Sequence, residues 1–331
     1  MTKEIKESIT STELTDDQAT KLAQLISTIP DILKKTENPE YDEIFGYRIN
    51  TDDQRYVSVP HRNEILNKFL AADGYDVALS TERIIKTLNW RNEFQPLHAA
   101  FEEQFHPDLN ELGVITNFPE ANANLHVITW NLYGNLKNPK KIFEKFGGGS
   151  DNSNTQRELP GSQFLRWRVG LMEKSLQLID FTSKENNKIG QVHDYNNVSM
   201  FRIDPGMKQA TKEIIEIFGH NYPELLSTKY FINVPLIMGW VFTFFKALGI
   251  INADTLKKFQ VLNHGDLTET LPKSELPKSY GGGASGDDVK SLNKETIFSL
   301  DVGGEIKLSE YGQEMLKQNR ETKNIDELSI D

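Results

Sequence analysis

Strand-like and helix-like segments alternate along the middle of the chain, and this alternation constrains the fold more than any other feature. Two β-rich runs, GVITNF and LHVITWNLYG, are followed by a helical stripe in which apolar residues recur every three or four positions. The stripe consists of Leu165, Val169, Met172, Leu176 and Ile179. A strand around QVHDYNNVSM, a second helix, the strand KYFINVP, an apolar helix and the short strand FQVL complete the order. This order predicts an α/β fold with a largely parallel sheet and crossover helices.

The regions on either side of the alternating segment have a different character. Residues 15–94 show apolar positions at helical spacing, with Ser80 and Glu82 as residues typical of a helix start. The segment GGGSDNSNTQRELPG is typical of a flexible insertion, and the end of the chain is Gly-rich and then polar. We therefore predict four parts: a disordered N-terminus (1–14), a small all-helical domain (15–105), the α/β domain (106–283), and a largely polar C-terminal extension with one short strand (284–331).

Composition and missing motifs exclude several kinds of function. The 331-residue chain carries a net charge of -11, from 37 basic and 48 acidic residues, and has no cysteine. The acidic balance argues against nucleic-acid binding, and the lack of cysteine excludes disulfides, zinc-thiolate sites and thiol nucleophiles. Phosphate-loop, nucleophile-elbow and HExxH motifs are missing as well. No familiar catalytic pattern therefore marks the chain as an enzyme.

One stretch, YFINVPLIMGWVFTFFKALGII, has the apolar character of a membrane segment. Asn233, Pro235 and Lys246 interrupt it, and the uninterrupted apolar run is too short for a spanning helix. We predict that its helical part, residues 236–249, is buried or touches lipid without crossing the bilayer. The polar first residues lack the apolar core of a secretory signal, so we expect a cytosolic location.

His193 and Tyr195 lie two positions apart in the strand-like run QVHDYNNVSM. Side chains at i and i+2 of a strand point to the same face, so an imidazole and a phenol would be directed at the same space. Two interpretations remain open from the residues alone. The pair could be polar groups satisfied at a sheet edge, which is the commoner case, or it could hold a ligand.

A longer series of motifs resembles the CRAL-TRIO family of yeast-type phosphatidylinositol transfer proteins. The series joins a YPE turn, a strand ending in N-x-P, the apolar helix, a D-T-x-x-K segment and a terminal Gly-Gly, within YPELLSTKYFINVPLIMGWVFTFFKALGIINADTLKKFQVL and LPKSYGG. Upstream, FLAADGYDVALSTERIIKTLNWRNEF is similar to the helical domain that precedes the lipid domain in this family. The resemblance covers residues 31–283. It implies a mostly parallel sheet flanked by helices, with residues 236–249 as an apolar lid.

Further segments resemble the fungal, fifth-homologue branch of the family, which is known for holding haem as well as for lipid transfer. These segments are LNWRNEF, TWNLYG, RWRVGLMEKSLQLIDFTS and QVHDYNNVSM. The resemblance implies haem b as a cofactor, with Tyr195 as the axial iron ligand and His193 beside it. It also implies Tyr133, Arg166 and Lys229 as further haem contacts.

For the lipid, the resemblance implies that inositol-phosphate contacts fall on Glu224, Thr255 and Lys258. The chain departs from the family at Asp73 and Gly74, where the major members carry a basic pair and the haem-binding branch a tyrosine at the first position.

We expect a protein that moves phosphatidylinositol between membranes without covalent chemistry. It would contact endoplasmic reticulum or microsomal membranes transiently and peripherally. The alternative is a haem protein for redox or oxidant sensing, or for haem storage, with little lipid transfer.

Overall fold

The fold was analysed in a computed structural model. It describes residues 2–136, 139–147, 159–198, 205–235, 253–284, 286–292, 297–298 and 306–328. The lid predicted over residues 236–249 lies outside the described residues. Within the described ranges, no helix is both long enough and apolar enough to cross a bilayer.

The first part of the chain is helical, as its sequence predicts. Thr15 begins the longest of these helices with a capping box to Gln18, and Asp76 caps another by accepting from the backbone N–H groups of Ala78 and Leu79. The elements are α1 (Thr2–Ser8), α2 (Asp16–Lys34), β1 (Glu43–Ile44), β2 (Tyr47–Arg48), α3 (Val59–Ala72), α4 (Val77–Phe94), α5 (Pro96–Phe101) and α6 (Pro107–Asn110).

The prediction of a disordered segment over residues 1–14 is wrong for its first part. Residues 2–8 form α1, and Ile9 joins the core of the helical unit. The backbone N–H groups of Thr10 and Ser11 both donate to Oε1 of the buried Glu64, each at 2.8 Å. Polar bonds to α3 and the burial of Ile9 therefore hold this segment. Such bonds leave no apolar periodicity in the sequence from which the order of the segment could be predicted.

A fully buried ion cluster connects the helical unit to the α/β unit. The guanidinium of Arg91 on α4 donates to Glu43 at 2.8 Å and to Glu173 at 2.6 Å. The Tyr222 hydroxyl also donates to Glu173, at 2.6 Å. Arg91, Glu43 and Glu173 are all 0% exposed. Because both carboxylates depend on one arginine, the cluster should tolerate the loss of that arginine poorly.

The second unit is built on a six-stranded sheet with the order β7-β6-β5-β4-β3-β8. Strands β4 to β7 run parallel, and β3 is antiparallel to both of its neighbours. The prediction of a largely parallel sheet is therefore confirmed. The strands are β3 (Gly113–Asn117), β4 (Val127–Leu132), β5 (Ile189–Asp194), β6 (Leu226–Ile232), β7 (Phe259–Val261) and β8 (Ile297–Phe298).

The two faces of the sheet are covered differently. One face packs against α8 (Gln163–Leu176), and the predicted apolar stripe is buried as expected, with Ile179 lying beyond the end of this helix. The other face packs against residues of the irregular segment after β7, including Leu267, Leu276 and Tyr280. The remaining helices are α7 (Pro139–Phe146), α8 (Gln163–Leu176), α9 (Pro205–Asn221), α10 (Ala253–Lys257) and α11 (Glu310–Leu328).

The C-terminal extension is more ordered than its polar sequence predicts. The expected short strand is present as β8, paired with β3. The extension also contains α11, which the polar sequence does not predict; this helix returns to the helical unit and buries Tyr311 and Met315. The Tyr311 hydroxyl donates to Asp42, and Arg48 lies over the Tyr311 ring at 5.3 Å. The predicted boundaries at 105/106 and 283/284 stay predictions.

Candidate functional site

A cavity of about 410 Å³ lies between α8, α9 and the adjoining face of the sheet. Strand β5 contributes Ile189, Gln191 and His193, which alternate along the strand and so face the same side. The apolar part of the lining comes from α8, α9, β6 and β7, including Phe164, Met172, Met207, Ile214, Ile215, Phe231 and Phe259. This volume is in the range of small-molecule sites in proteins.

Three of the predicted site residues meet at the end of the cavity near the carboxyl ends of β4 and β5. The Tyr133 hydroxyl lies 3.1 Å from Nδ1 of His193, and the rings of Tyr133 and Tyr195 are 5.2 Å apart between centroids. Tyr195 follows the last residue of β5 and still lines the cavity with His193. The shared face that their spacing predicts is therefore present.

Burial keeps this aromatic group uncharged. Burial lowers the pKa of His193 well below its usual value, and the nearby cations Lys229 and Arg168 lower it further. Burial also raises the pKa of Tyr195 well above its usual value, with a smaller contribution from Tyr133. At neutral pH the imidazole is consequently neutral and the phenol keeps its proton.

Two basic side chains, those of the buried Arg168 and the partly buried Lys229, line the same cavity. Burial, and secondly Arg168, lowers the pKa of Lys229 to about 7, and burial lowers the pKa of Arg168 to about 10. Within the described part of the chain, neither side chain has a carboxylate partner, and one terminal nitrogen of Arg168 is buried without any hydrogen-bond partner. Their contacts are instead with the rings of Phe218, Phe231 and Phe259. Charged groups away from water are unfavourable unless they are paired, so an anion bound beside these two side chains would be stabilised.

The prediction that Arg166 lies in this site is not supported by its position. Arg166 is 0% exposed and does not line the cavity. Its guanidinium is paired with Glu103 and donates to the carbonyl oxygens of Phe94 and Pro160 at 2.8 and 2.9 Å. Positions 166 and 168 are about 200° apart around a helix, so only one of them can face the cavity. That one is Arg168, which the sequence analysis missed although RWRVG contains it.

The predicted headgroup residues Glu224, Thr255 and Lys258 line the opposite end of the cavity. Nζ of Lys258 lies 3.4 Å from Oε2 of Glu224. Glu224 has a left-handed backbone with φ of 52°, and Lys68 holds its carbonyl oxygen with a 3.2 Å hydrogen bond. The cavity thus has an aromatic, cationic end and a second polar end near the amino ends of the strands.

Asp73 and Gly74 occupy the turn between α3 and α4, at the edge of this site. The Asp73 carboxylate binds the guanidinium of Arg83 through contacts of 2.7 and 2.9 Å. Arg83 also donates to the carbonyl of Gly219, and it lines the cavity. Where the resemblance leads us to expect a basic pair, an acidic residue instead fixes an arginine at the cavity rim.

Comparison with known proteins shows to which family this architecture belongs. Residues 124–282 match the CRAL/TRIO domain, and this range contains β4 to β7 together with most of the cavity lining. The chain is 67% identical to the phosphatidylinositol transfer protein SFH5 of Candida albicans, over 95% of this chain and 94% of that protein. The chain belongs to the CRAL/TRIO family.

Other CRAL/TRIO proteins extend the likeness beyond the matched domain. The phosphatidylinositol transfer protein SFH5 of Saccharomyces cerevisiae is 33% identical, over 87% of this chain and 94% of that protein. A crystal structure of Sfh5 superposes with a TM-score of 0.78 at 34% identity, covering 92% of this chain and 97% of that one. The likeness therefore includes the helical unit as well as the sheet.

Proposed function

We propose that this protein binds phosphatidylinositol and carries it between membranes. The proposal rests on one observation: the cavity is largely apolar, and the Glu224–Lys258 pair lies at one of its ends. The names of the relatives, which describe phosphatidylinositol transfer, support the same function. Transfer requires transient contact with a membrane surface but no covalent step.

Each part of the site has a physical task in this function. The apolar lining shields acyl chains from water, which is favourable in proportion to the apolar area removed from water. The Glu224 carboxylate accepts hydrogen bonds from inositol hydroxyls, and the Lys258 ammonium neutralises the phosphate. A ligand that enters here replaces the Glu224–Lys258 contact with its own polar groups.

We propose a second ligand, haem b, for the other end of the same cavity. The observation that favours it is the unpartnered nitrogen of Arg168 beside Lys229, within a lining that also presents Tyr133, His193 and Tyr195. The residues fit the group. Tyr195 can provide a tyrosinate for ferric iron, while Lys229 and Arg168 can balance the two haem propionates. Bound haem would supply one-electron redox chemistry.

The protein's own residues would tune such a site. A phenol with a raised pKa gives up its proton only to a strong positive charge, so Tyr195 selects for a ferric centre over neutral ligands. His193 lies beside Tyr195 as a neutral imidazole and can hydrogen-bond to groups next to it. In the alternative function, redox sensing or haem storage, this end of the cavity alone would be used.

One preparation tests both ligands. The protein is purified from cells, and its absorption spectrum, iron content and extracted lipids are measured. Transfer of phosphatidylinositol from donor to acceptor vesicles is then followed. We expect phosphatidylinositol transfer that depends on Lys258, with Lys184→Ala as the control, since Lys184 is an exposed lysine that pairs only loosely with Glu13 at 3.8 Å. A protein with stoichiometric iron and no transfer of any phospholipid would support the haem alternative and refute the transfer proposal.

A further inference from the structure

The amino ends of the parallel strands bring an additional lysine to the edge of the sheet, beside the residues that line the headgroup end of the cavity. Lys188 immediately precedes β5, and Glu224 lies two residues before β6. The two strands are parallel, and Ile189 pairs with Leu226 at their amino ends, so Lys188 and Glu224 lie at the same edge of the sheet. Lys258 immediately precedes β7, and its side chain reaches Glu224 at this edge.

The charges at this edge do not balance. The side chains of Lys68, Lys188 and Lys258 all lie within electrostatic range of the Glu224 carboxylate. Lys68 reaches in from α3 and donates to two neutral acceptors, Oδ1 of Asn187 at 3.1 Å and the carbonyl of Glu224. Glu64 also lies near Lys68, but its carboxylate accepts from Thr10 and Ser11.

Lys188 is the ammonium group left for a ligand. It forms no ion pair within the described part of the chain, and it is only partly buried. Burial lowers its pKa, repulsion from Lys258 lowers it further, and attraction to Glu224 raises it, so Lys188 lies within electrostatic range of both residues. An incoming phosphate would relieve this repulsion, because it neutralises positive charge between the two side chains.

We propose that Lys188 and Lys258 together hold the phosphate of an inositol headgroup. The positive charge that the α3–α4 turn lacks at Asp73 and Gly74 is then supplied from the edge of the sheet. This inference rests on the proposed lipid function and adds a residue that determines headgroup specificity. The chemistry recognised is an inositol phosphate ester, which phosphatidylinositol in a membrane and a soluble inositol phosphate share.

The test compares Lys188→Gln and Lys188→Arg with the parent protein and with Lys184→Gln as a matched control. Lys184 lies four residues earlier, is exposed, and is outside the cavity lining. One arm measures binding and transfer of phosphatidylinositol from vesicles, with phosphatidylcholine as the uncharged-headgroup comparison. The other arm measures binding of soluble glycerophosphoinositol by calorimetry. Circular dichroism checks that each variant is folded.

We expect Lys188→Gln to weaken phosphatidylinositol binding about tenfold, the effect of losing one charge-assisted contact. Phosphatidylcholine binding should not change, Lys188→Arg should retain most of the affinity, and Lys184→Gln should match the parent. If Lys188→Gln binds phosphatidylinositol normally while Lys258→Ala does not, the inference about Lys188 is wrong and the proposed function stands. A parent protein that neither binds nor transfers phosphatidylinositol overturns the proposed function itself. If Lys188→Gln weakens binding of soluble glycerophosphoinositol but not of phosphatidylinositol in vesicles, the proposal that the lipid supplies the headgroup is wrong.

Discussion

The Tyr133 hydroxyl lies 3.1 Å from Nδ1 of His193, across the parallel pair β4 and β5. On its other side, the His193 ring has Nε2 3.4 Å from the side-chain amide of Asn131. A neutral imidazole that accepts from this amide at Nε2 carries its proton on Nδ1 and donates it to Tyr133. The Tyr133 O–H is then free to serve a ligand in the cavity, together with Tyr195.

Tyr195→Phe should lose haem or change its ligation while the fold persists. The substitution keeps the ring and its packing but removes the oxygen that would bind iron. His193→Ala should alter the spectrum less, because His193 lies beside the ligand. Absorption spectra and iron content are compared with those of the parent and of Tyr47→Phe, whose phenol stacks on His61 outside the cavity lining. A Tyr195→Phe protein with full iron and the parent spectrum would disprove the ligand assignment.

Replacement by methionine should weaken ligand binding at Arg168 and lower the unfolding free energy at Arg166. Arg168→Met removes a buried cation without a carboxylate partner, so we expect weaker binding of haem or another anion and little loss of stability. Arg166→Met breaks the pairing with Glu103 and should cost about 3–5 kcal/mol of unfolding free energy, as for other buried pairs. Urea denaturation and haem titration of both variants measure the two effects. Equal losses of stability would contradict the different roles given to the two arginines.

Binding of an anion in the cavity should weaken as the pH rises above about 7. The pKa of Lys229 is about 7 in the ligand-free protein because burial and Arg168 disfavour its charged form. A bound anion favours the charged form, so binding above this pH takes up a proton and loses up to about tenfold in affinity per pH unit. Haem titrations at pH 6.5 and 8.5 should show this loss as the difference between the parent and Lys229→Met, because both proteins release the same Tyr195 proton when the phenol binds iron.

The same pKa has an opposite consequence for stability. An unfolded lysine keeps its proton up to a pKa of about 10.4. Between about pH 7 and that value the unfolded state therefore binds more protons than the folded state, and the Lys229 contribution to stability rises with pH. The unfolding free energy of the ligand-free parent, measured relative to Lys229→Met, should increase from pH 7 to pH 9. A constant difference would show that Lys229 keeps its proton in the fold.

Arg91→Met should be among the most destabilising single substitutions in the chain. It leaves Glu43 and Glu173 fully buried without their cation, at an expected cost of about 3–5 kcal/mol. Arg55→Met provides the control, because Arg55 pairs with Asp53 at an exposed position. The change in urea midpoint measures both. A similar midpoint for the two variants would mean that the buried cluster relaxes or admits water.

The strands could be predicted because they are short apolar and β-branched runs, and α8 could be predicted because its apolar residues recur at helical spacing. The five apolar residues from Leu165 to Ile179 recur at helical spacing, and all of them are buried. The grouping of His193 with Tyr195 follows from strand alternation in the same way. These are local signals that each segment carries by itself.

The remaining features depend on contacts between distant parts of the chain. The choice between Arg166 and Arg168 depends on how α8 is rotated against the sheet, and two arginines two positions apart are equivalent in the sequence. The sequence alone does not show that Lys188 lies near Glu224, because the pairing of β5 with β6 brings the two residues to the same edge of the sheet. The segment after the N-terminal helix and α11 both make polar contacts to residues far away in sequence, such as Glu64 and Asp42, and such contacts leave no pattern in the local sequence.

The return of α11 to the helical unit affects the order in which the molecule can be completed during synthesis. Asp42 and Arg48 leave the ribosome early, whereas Tyr311, which contacts both, is added more than 250 residues later. Until then the Asp42 carboxylate has Arg48 and Asn50 as partners but lacks the Tyr311 hydroxyl. A nascent chain stopped before α11 therefore lacks the contacts that Tyr311 makes, and the first domain to emerge is among the last to be finished.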